Sequence, residues 1–233
     1  GANDYRTVDY ADPKPLPGIE PSLAGDAWLG VFKSFDCGAK WQSTLLPGYP
    51  QDDSLEGQNS PLNGFEAAAD AIVRAATNGL FYFAGMTFNR VKDTTSQIFA
   101  ARFIDNNNQE RGDPIDYVDA TVLDVGNAGQ FLDKPWLAVD VPRLAFGPPS
   151  YCDVNGQPFP AGHAYMAWAR FTGNGTPNPA KLMFARTTDC GKTWQVKPIS
   201  DNQLTSQGAT IAIAPHDGTV YVAWRQFGKN GRP

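Results

Sequence analysis

Residues Thr187–Trp194 read TTDCGKTW, and residues Ser34–Trp41 read SFDCGAKW. Each gives a hydroxyl, a spacer, Asp, Cys, Gly, two further spacers and Trp. These residue types have local tasks in a tight turn. Asp36 and Asp189 can accept hydrogen bonds from N–H groups of their own turn. Gly38 and Gly191 permit a positive φ that other residues resist. Ser34 and Thr187 can add a second side-chain-to-backbone bond. Trp41 and Trp194 are expected to pack back over the hairpin into the space between sheets. The word reads as a turn clip, written once for each structural unit that keeps it.

Around the two words lies a longer repeat. LFYFAGMTF (Leu80–Phe88), HAYMAWARF (His163–Phe171) and TVYVAWRQF (Thr219–Phe227) align without gaps. They share Tyr at the third place, Ala at the fifth and Phe at the ninth, and read as buried strands. Another strand precedes each, beginning at Asp70, Asp133 and Gln207, with Ala75, Ala138 and Ala212 aligned. IFAARFID (Ile98–Asp105) and LMFARTTD (Leu182–Asp189) follow the first two, and WLGVFKSFD (Trp28–Asp36) matches them from one repeat earlier. The unit is therefore strand, turn, strand, loop, strand, word, strand. In the second unit Asp105 keeps the aspartate's place, but Asn107 replaces the Gly. Polar or Pro/Gly-rich insertions, NNNQERGDP after Asp105 and PRLAFGPPSYCDVNGQPFPAG after Val141, read as surface loops. AAADAIVRAA (Ala67–Ala76) is the best helix candidate, yet its alignment with two other first strands predicts a strand.

Four-stranded antiparallel units repeated in this way predict an all-β fold, a β-propeller of about six or seven blades, incomplete in this chain. Expected blades span 1–66, 67–130, 131–204 and, in part, 205–233. A β-sandwich of similar strand count would not explain the aligned Tyr, Ala and Phe. The chain opens in what looks like a second strand and stops after another. Open propeller edges are aggregation-prone, so the missing blades are expected from the rest of a larger exported protein or from other copies.

Composition agrees. Of 233 residues, 42% are hydrophobic, enough for a sizeable core, and 23 Gly with 19 Pro favour many turns. The net charge of −5 argues against a nucleic-acid partner. No apolar run reaches the length of a membrane span, and GANDYRTVDY carries no signal-peptide pattern. His163 and His216, the two histidines, argue against a His-based metal site or charge-relay triad.

TTDCGKTW resembles the Asp-box, or BNR repeat, of the sialidase family throughout, and SFDCGAKW departs from it at Lys40. The phrases GDAWLGVFKSFD, FLDKPWLAVD and QGATIAIAPHDGTVYVAWR extend the resemblance to secreted bacterial BNR-containing proteins. The resemblance implies a sialidase-like propeller, located outside the cell, with its boxes away from the face where ligands bind. Sialidase chemistry would further require three arginines on the sugar carboxylate, a Tyr nucleophile paired with Glu, and an Asp acid/base; such enzymes are exceptions to the two-carboxylate rule. The chain lacks the Arg-Ile-Pro phrase that carries the first arginine: Val141-Pro142-Arg143 and Arg232-Pro233 are not it. Its four glutamates, Glu20, Glu56, Glu66 and Glu110, sit in no recognisable frame. The leading expectation is therefore glycan binding or surface assembly. The alternatives are part of an exo-glycosidase whose remaining residues lie elsewhere, or a structural surface or filament protein.

First strands line the channel of a propeller, which makes Asp70, Asp133 and Gln207 candidates for a polar rim able to hold a sugar or cation. The structural alternative is that they cap strand ends or bond a neighbouring blade's backbone. Arg74 and Arg225 are the arginines placed best for a ligand, whereas Arg102 and Arg186, at equivalent third-strand places, suggest a repeated packing role. Trp136, Trp168 and Trp224 could stack on sugars or pack between blades. DNNNQERGDPID (Asp105–Asp116) is oxygen-rich and could hold calcium, although it lacks the EF-hand glycine; no other cofactor is expected. Arg111-Gly112-Asp113 and the sequon Asn174-Gly175-Thr176 are short enough to arise by chance.

Three cysteines allow one internal disulfide. Cys37 and Cys190 hold the same place in boxes one blade or more apart, too far for a bridge. Cys152 lies in the long loop of the blade that owns Cys190, so the expected pair is Cys152–Cys190, with Cys37 free. Such a bridge fits an exported protein.

Overall fold

The computed structural model describes residues 1–9, 26–90, 95–106, 115–127, 129–143, 149–173, 179–201 and 203–228. The protein is all-β. In chain order the elements are β1 (Ala2–Asp4), α1 (Arg6–Asp9), β2 (Trp28–Lys33), β3 (Gln42–Leu45), α2 (Leu55–Asn59), β4 (Ala67–Ala75), β5 (Leu80–Phe88), β6 (Ser96–Asp105), β7 (Ile115–Gly126), β8 (Gln130–Asp140), β9 (Tyr151–Val154), β10 (Gln157–Pro160), β11 (His163–Thr172), β12 (Ala180–Thr187), β13 (Gln195–Pro198), β14 (Thr205–Ile213) and β15 (Val220–Phe227).

The strands form antiparallel groups in sequence order. β1, β2 and β3 make the first sheet, and β4 to β7 make a four-stranded meander. β8, β11, β12 and β13 make another four-stranded run. β14 and β15 pair with each other and join it through one parallel bridge, Ala180 to Thr205. The alanine-rich segment is strand β4, paired antiparallel with β5 from Ala67 opposite Phe88 to Ala75 opposite Phe81. The loop expected after Val141 contains instead the hairpin β9–β10, turned at Asn155 and Gly156, both with positive φ. Asn-Gly is the strongest short hairpin signal.

The meander β4–β7 is buried on both faces, and the strand period of two divides its side chains between them. Leu80, Tyr82, Ala84 and Met86 of β5, with Ile98, Ala100 and Ile104 of β6, share a core with Leu137, Met166 and Trp168 of the following sheet. Phe83, Phe99, Ala101 and Phe103 face the other way, onto Trp28, Leu29 and Leu46. A third core joins Tyr165, Ala167 and Leu182 to Ala209 and Ile211 of β14. The sheets thus stack in series with a core between each pair. Strand β4 lies against β8, and β8 against β14, so the leading strands of successive sheets are neighbours.

Polar links cross each boundary. Lys33 Nζ meets Asp105 at 2.6 Å. Asp124 of β7, itself buried, accepts from Trp168 Nε1 at 2.7 Å and forms an ion pair with Arg170 of β11. Arg143 donates to the carbonyls of Ala214 and Pro215 in the β14–β15 turn, at 2.9 and 2.7 Å.

Candidate functional site

Each leading strand carries a bulge at the same place. Pairing skips two residues between Ala69 and Ile72 of β4, between Asp133 and Trp136 of β8, and between Gln207 and Thr210 of β14. One residue of the facing strand opposes two, which bends the strand and re-aims its side chains. The first bulged residue is left-handed in all three: Asp70 at φ 61°, Lys134 at 53° and Gly208 at 65°. Glycine adopts this conformation freely; Lys does so at a cost of roughly 1–2 kcal/mol, and Asp, whose short side chain can bond locally, at a smaller one.

This geometry corrects the alignment read from the sequence. Asp70 is equivalent to Lys134 and Gly208, while Asp133 and Gln207 align with Ala69. Likewise Arg74, not Ala75, stands with Ala138 and Ala212, because Arg74 is the residue paired with Tyr82. Matching alanines favour the wrong register; the hydrogen-bonded partner defines the right one.

The bulges bring charges together across two sheets. Lys134 Nζ lies 3.9 Å from Asp70 Oδ2 and 3.9 Å from Asp133 Oδ1. The Asp70 and Asp133 side chains are 30% and 22% exposed and that of Lys134 is 58% exposed, so the cluster reaches solvent. Burial pushes the Asp133 carboxyl above its ordinary range; Lys134 opposes that shift, and the neighbouring Asp70 charge adds to it. The result is two carboxylates facing one ammonium at the mouth of two adjacent strands. Such a group can accept hydrogen bonds from sugar hydroxyls and donate one in return.

Of the other candidates, Arg74 places its guanidinium 5.5 Å from the Trp136 ring, again from β4 to β8, and donates to the Val73 carbonyl. Gln207 and Arg225 are partners across β14 and β15, and Arg225 lies over Phe227; the ion pairs of the Asp70 cluster do not include Arg225. Trp168 is buried against Asp124. Residues 107–114 lie outside the described residues, and with them Asn107, most of the loop read as a calcium ligand set and the Arg111–Asp113 tripeptide; so do Asn174–Thr176 and Arg232-Pro233. Among the described residues no cluster of three or more His, Cys, Asp or Glu could hold a metal. No helix of the described residues is long and apolar enough to cross a membrane.

The two boxes turn the hairpins β2–β3 and β12–β13. In the first, Ser34 Oγ donates to Asp36 Oδ1 at 2.9 Å and accepts from Gly38 N at 2.7 Å. Asp36 Oδ1 accepts from Lys40 N at 2.7 Å, and Trp41 Nε1 donates to the Gly38 carbonyl at 3.0 Å. In the second, Thr187, Asp189, Gly191, Thr193 and Trp194 repeat those bonds at 2.8, 3.0, 2.9 and 3.1 Å. Thr193 adds a hydroxyl bond to Asp189 Oδ2 at 2.6 Å. Not only Gly38 and Gly191 but Cys37 and Cys190 before them have positive φ. Trp194 packs against the core between sheets. Trp41, expected to do the same, is 62% exposed, because no sheet covers that side of its hairpin among the described residues. Cys152 and Cys190 form a disulfide, tying β9 to the second box, and Cys37 is free and exposed.

Register fixes where boxes and charge cluster stand. Thr187, at the start of the second box, pairs with Ala164, whose other partner is Val139 near the end of β8. Asp133 pairs with Ala169 near the start of β8. The six-residue run between them is about 20 Å of strand, so the cluster occupies the end of the sheets opposite the boxes. No protein-family model matches the chain, and a search of curated proteins finds no match to it.

Proposed function

We infer that this protein is a sialidase-like, BNR-repeat propeller segment that works outside the cell and binds glycans at the Asp70–Lys134–Asp133 cluster. One observation carries the reading. Where glycine would serve, as Gly208 does in β14, two leading strands put Asp70 and Lys134 in the left-handed bulge, and those two side chains face each other. Strained residues that persist against a cheaper alternative mark ligand clamps. Arg74 and Trp136 flank the cluster on the same two strands and offer a cation and a stacking ring. The stacked sheets, with both faces of β4–β7 buried, support blades about a common axis. The Cys152–Cys190 bridge is compatible with an exported protein.

The test pairs binding with stability. Lys134→Gly is expected to raise the unfolding free energy by up to about 1 kcal/mol, since glycine relieves the bulge, and Asp70→Gly to change it by less, since Asp tolerates the left-handed region better and glycine loosens the unfolded chain. Asp133→Asn is expected to leave stability unchanged or higher, because a carboxylate whose burial opposes its charge is replaced by a neutral amide. All three are expected to lose glycan-array signal. Unchanged glycan binding in these variants, or no glycan bound by the native chain, would sink the reading.

A further inference from the structure

The Asp70–Lys134–Asp133 cluster is short of hydrogen-bond donors. Of its carboxylate oxygens, Asp133 Oδ1 accepts from the Lys134 amide at 2.8 Å. Lys134 Nζ stands 3.9 Å from that atom and 3.9 Å from Asp70 Oδ2, beyond hydrogen-bond reach of both. Asp70 Oδ1, Asp70 Oδ2 and Asp133 Oδ2 therefore receive no hydrogen bond among the described residues.

Positive charge is short as well. Two carboxylates face one ammonium, which leaves a negative charge over. Burial and the Asp70 charge both work against ionised Asp133, and Lys134 offsets them only in part. Arg74 does not make up the difference: four residues along β4 from Asp70, it is held on the Val73 carbonyl and over the Trp136 ring. A divalent cation would ask for about six or more oxygen ligands, and among the described residues no acidic or His/Cys cluster of three exists to begin such a set.

Lys134 itself shows which group fits, since its ammonium stands equally far from the two carboxylates. Its left-handed backbone directly precedes the buried Pro135, and proline narrows the choices of the residue before it. The stem of Lys134 is thus anchored while its tip is exposed, and long, exposed ion pairs contribute little. The tip is free to turn aside for a ligand.

We propose that the ligand of this site is a protonated amino sugar, an unacetylated 2-amino-2-deoxyhexose whose ammonium enters between Asp70 and Asp133. The three N–H groups of the ammonium match the three oxygens that lack a donor, and its charge cancels the excess. Lys134, turned aside, donates to the hydroxyl oxygens beside the amine. An N-acetylated sugar offers one amide N–H and no charge. A lysine side chain offers the ammonium without hydroxyls for Lys134. The proposal rests on the glycan reading above and specifies its substrate class.

Titration calorimetry of the 233-residue chain tests it with three probes of equal length: a β-1,4-linked glucosamine tetramer, its fully N-acetylated form, and tetralysine. At a pH that keeps the sugar amine protonated, the glucosamine tetramer is expected to bind about tenfold or more tighter than either control, the scale of a hydrogen bond to a charged group. Asp70→Asn and Asp133→Asn keep the shape of the site and, for residue 70, a side chain that tolerates the left-handed region. Each is expected to bring the three probes to within about threefold of one another, with native circular dichroism. Equal binding of the acetylated and free tetramers, lost in Asp70→Asn, overturns this proposal and leaves the glycan reading standing. No binding of either tetramer overturns both. Tetralysine bound as tightly as the glucosamine tetramer, or a preference for the free amine that survives both Asn variants, also overturns the proposal.

Discussion

The first and second boxes make the same hydroxyl, carboxylate and indole bonds to within a few tenths of an ångström, yet they live in different surroundings. Cys190 and Gly191 are buried against Tyr82 and Arg102 of the preceding sheet, whereas Cys37, Gly38 and Trp41 stand in solvent. Local sequence is therefore sufficient to shape the turn without a neighbour. What the neighbour adds is the carbonyl bond from Arg102, the packing of Trp194, and a position from which Cys190 can reach Cys152. The same word acts as a freestanding clip in one place and as part of a sheet-to-sheet joint in the other.

The largest expected difference concerns the disulfide. Cys152→Ser opens a loop of 38 residues and is expected to cost about 3 kcal/mol in chemical denaturation; Cys37→Ser is expected to leave the midpoint where it is. If both cysteine variants shift the midpoint equally, the contrast between the boxes is broken. Next comes the box aspartate. Asp189→Ala strips a part-buried turn of charged bonds from Thr187 and Thr193, and a loss of roughly 1.5–3 kcal/mol is expected. Asp36→Ala removes the same backbone bond in full solvent, where water replaces it, and is expected to lower stability by clearly less.

Acid sharpens the same comparison. Burial works against the Asp189 carboxylate, but bonds from Thr193 and Thr187 prevail and hold its pKa below the ordinary range. The Lys40 N–H, then Ser34, lowers that of Asp36. A carboxyl with a lowered folded pKa contributes stability that is whole above its unfolded value, about 3.9, and is lost as pH falls through the folded value. The stability gap between the native protein and Asp189→Asn is therefore expected to be constant near neutrality and to narrow below about pH 4. Melting midpoints taken down the pH scale give the answer. A gap that widens on acidification would mean that the carboxylate is not what the turn requires.

The features legible in sequence were those that a few adjacent residues decide. The box bonds follow from Ser/Thr, Asp and Gly at fixed spacing, and the strand order from repeated Tyr, Ala and Phe. The cysteine pairing follows from the long loop that carries Cys152 lying in the same repeat unit as the second box. The hairpin β9–β10 was within reach, since Asn155-Gly156 announces it, but the surrounding prolines and glycines suggested a loop. The candidate site was legible only in part. Asp70 and Asp133 stand out as acids on leading strands. However, nothing in the letters shows that Asp70 and Lys134 share a left-handed bulge, because a backbone fold forced by the facing strand leaves no composition signature. Contacts such as Lys33–Asp105 and Arg102–Cys190 join residues 72 and 88 positions apart and depend on how whole sheets stack. Trp41 and Trp194 carry the same letter in the same word, and only the presence of a neighbouring sheet separates their fates.

The smallest expected effect isolates the one chemical difference inside the clips. Thr193 bonds Asp189 twice, through its N–H and its hydroxyl, whereas Lys40 bonds Asp36 through its N–H alone. Lys40→Thr supplies the missing hydroxyl at the corresponding place. In exchange it removes a cation near a carboxylate in full solvent, where such pairs contribute little. A small rise in the melting midpoint is expected, together with slower amide exchange at residue 40, where the N–H of the new threonine would be held by a more firmly oriented carboxylate. The reverse change, Thr193→Lys, removes a hydroxyl bond beside a buried turn and is expected to cost more than Lys40→Thr gains. Equal and opposite effects would mean that the neighbouring sheet contributes nothing to the strength of the clip, and that the two boxes differ only in exposure.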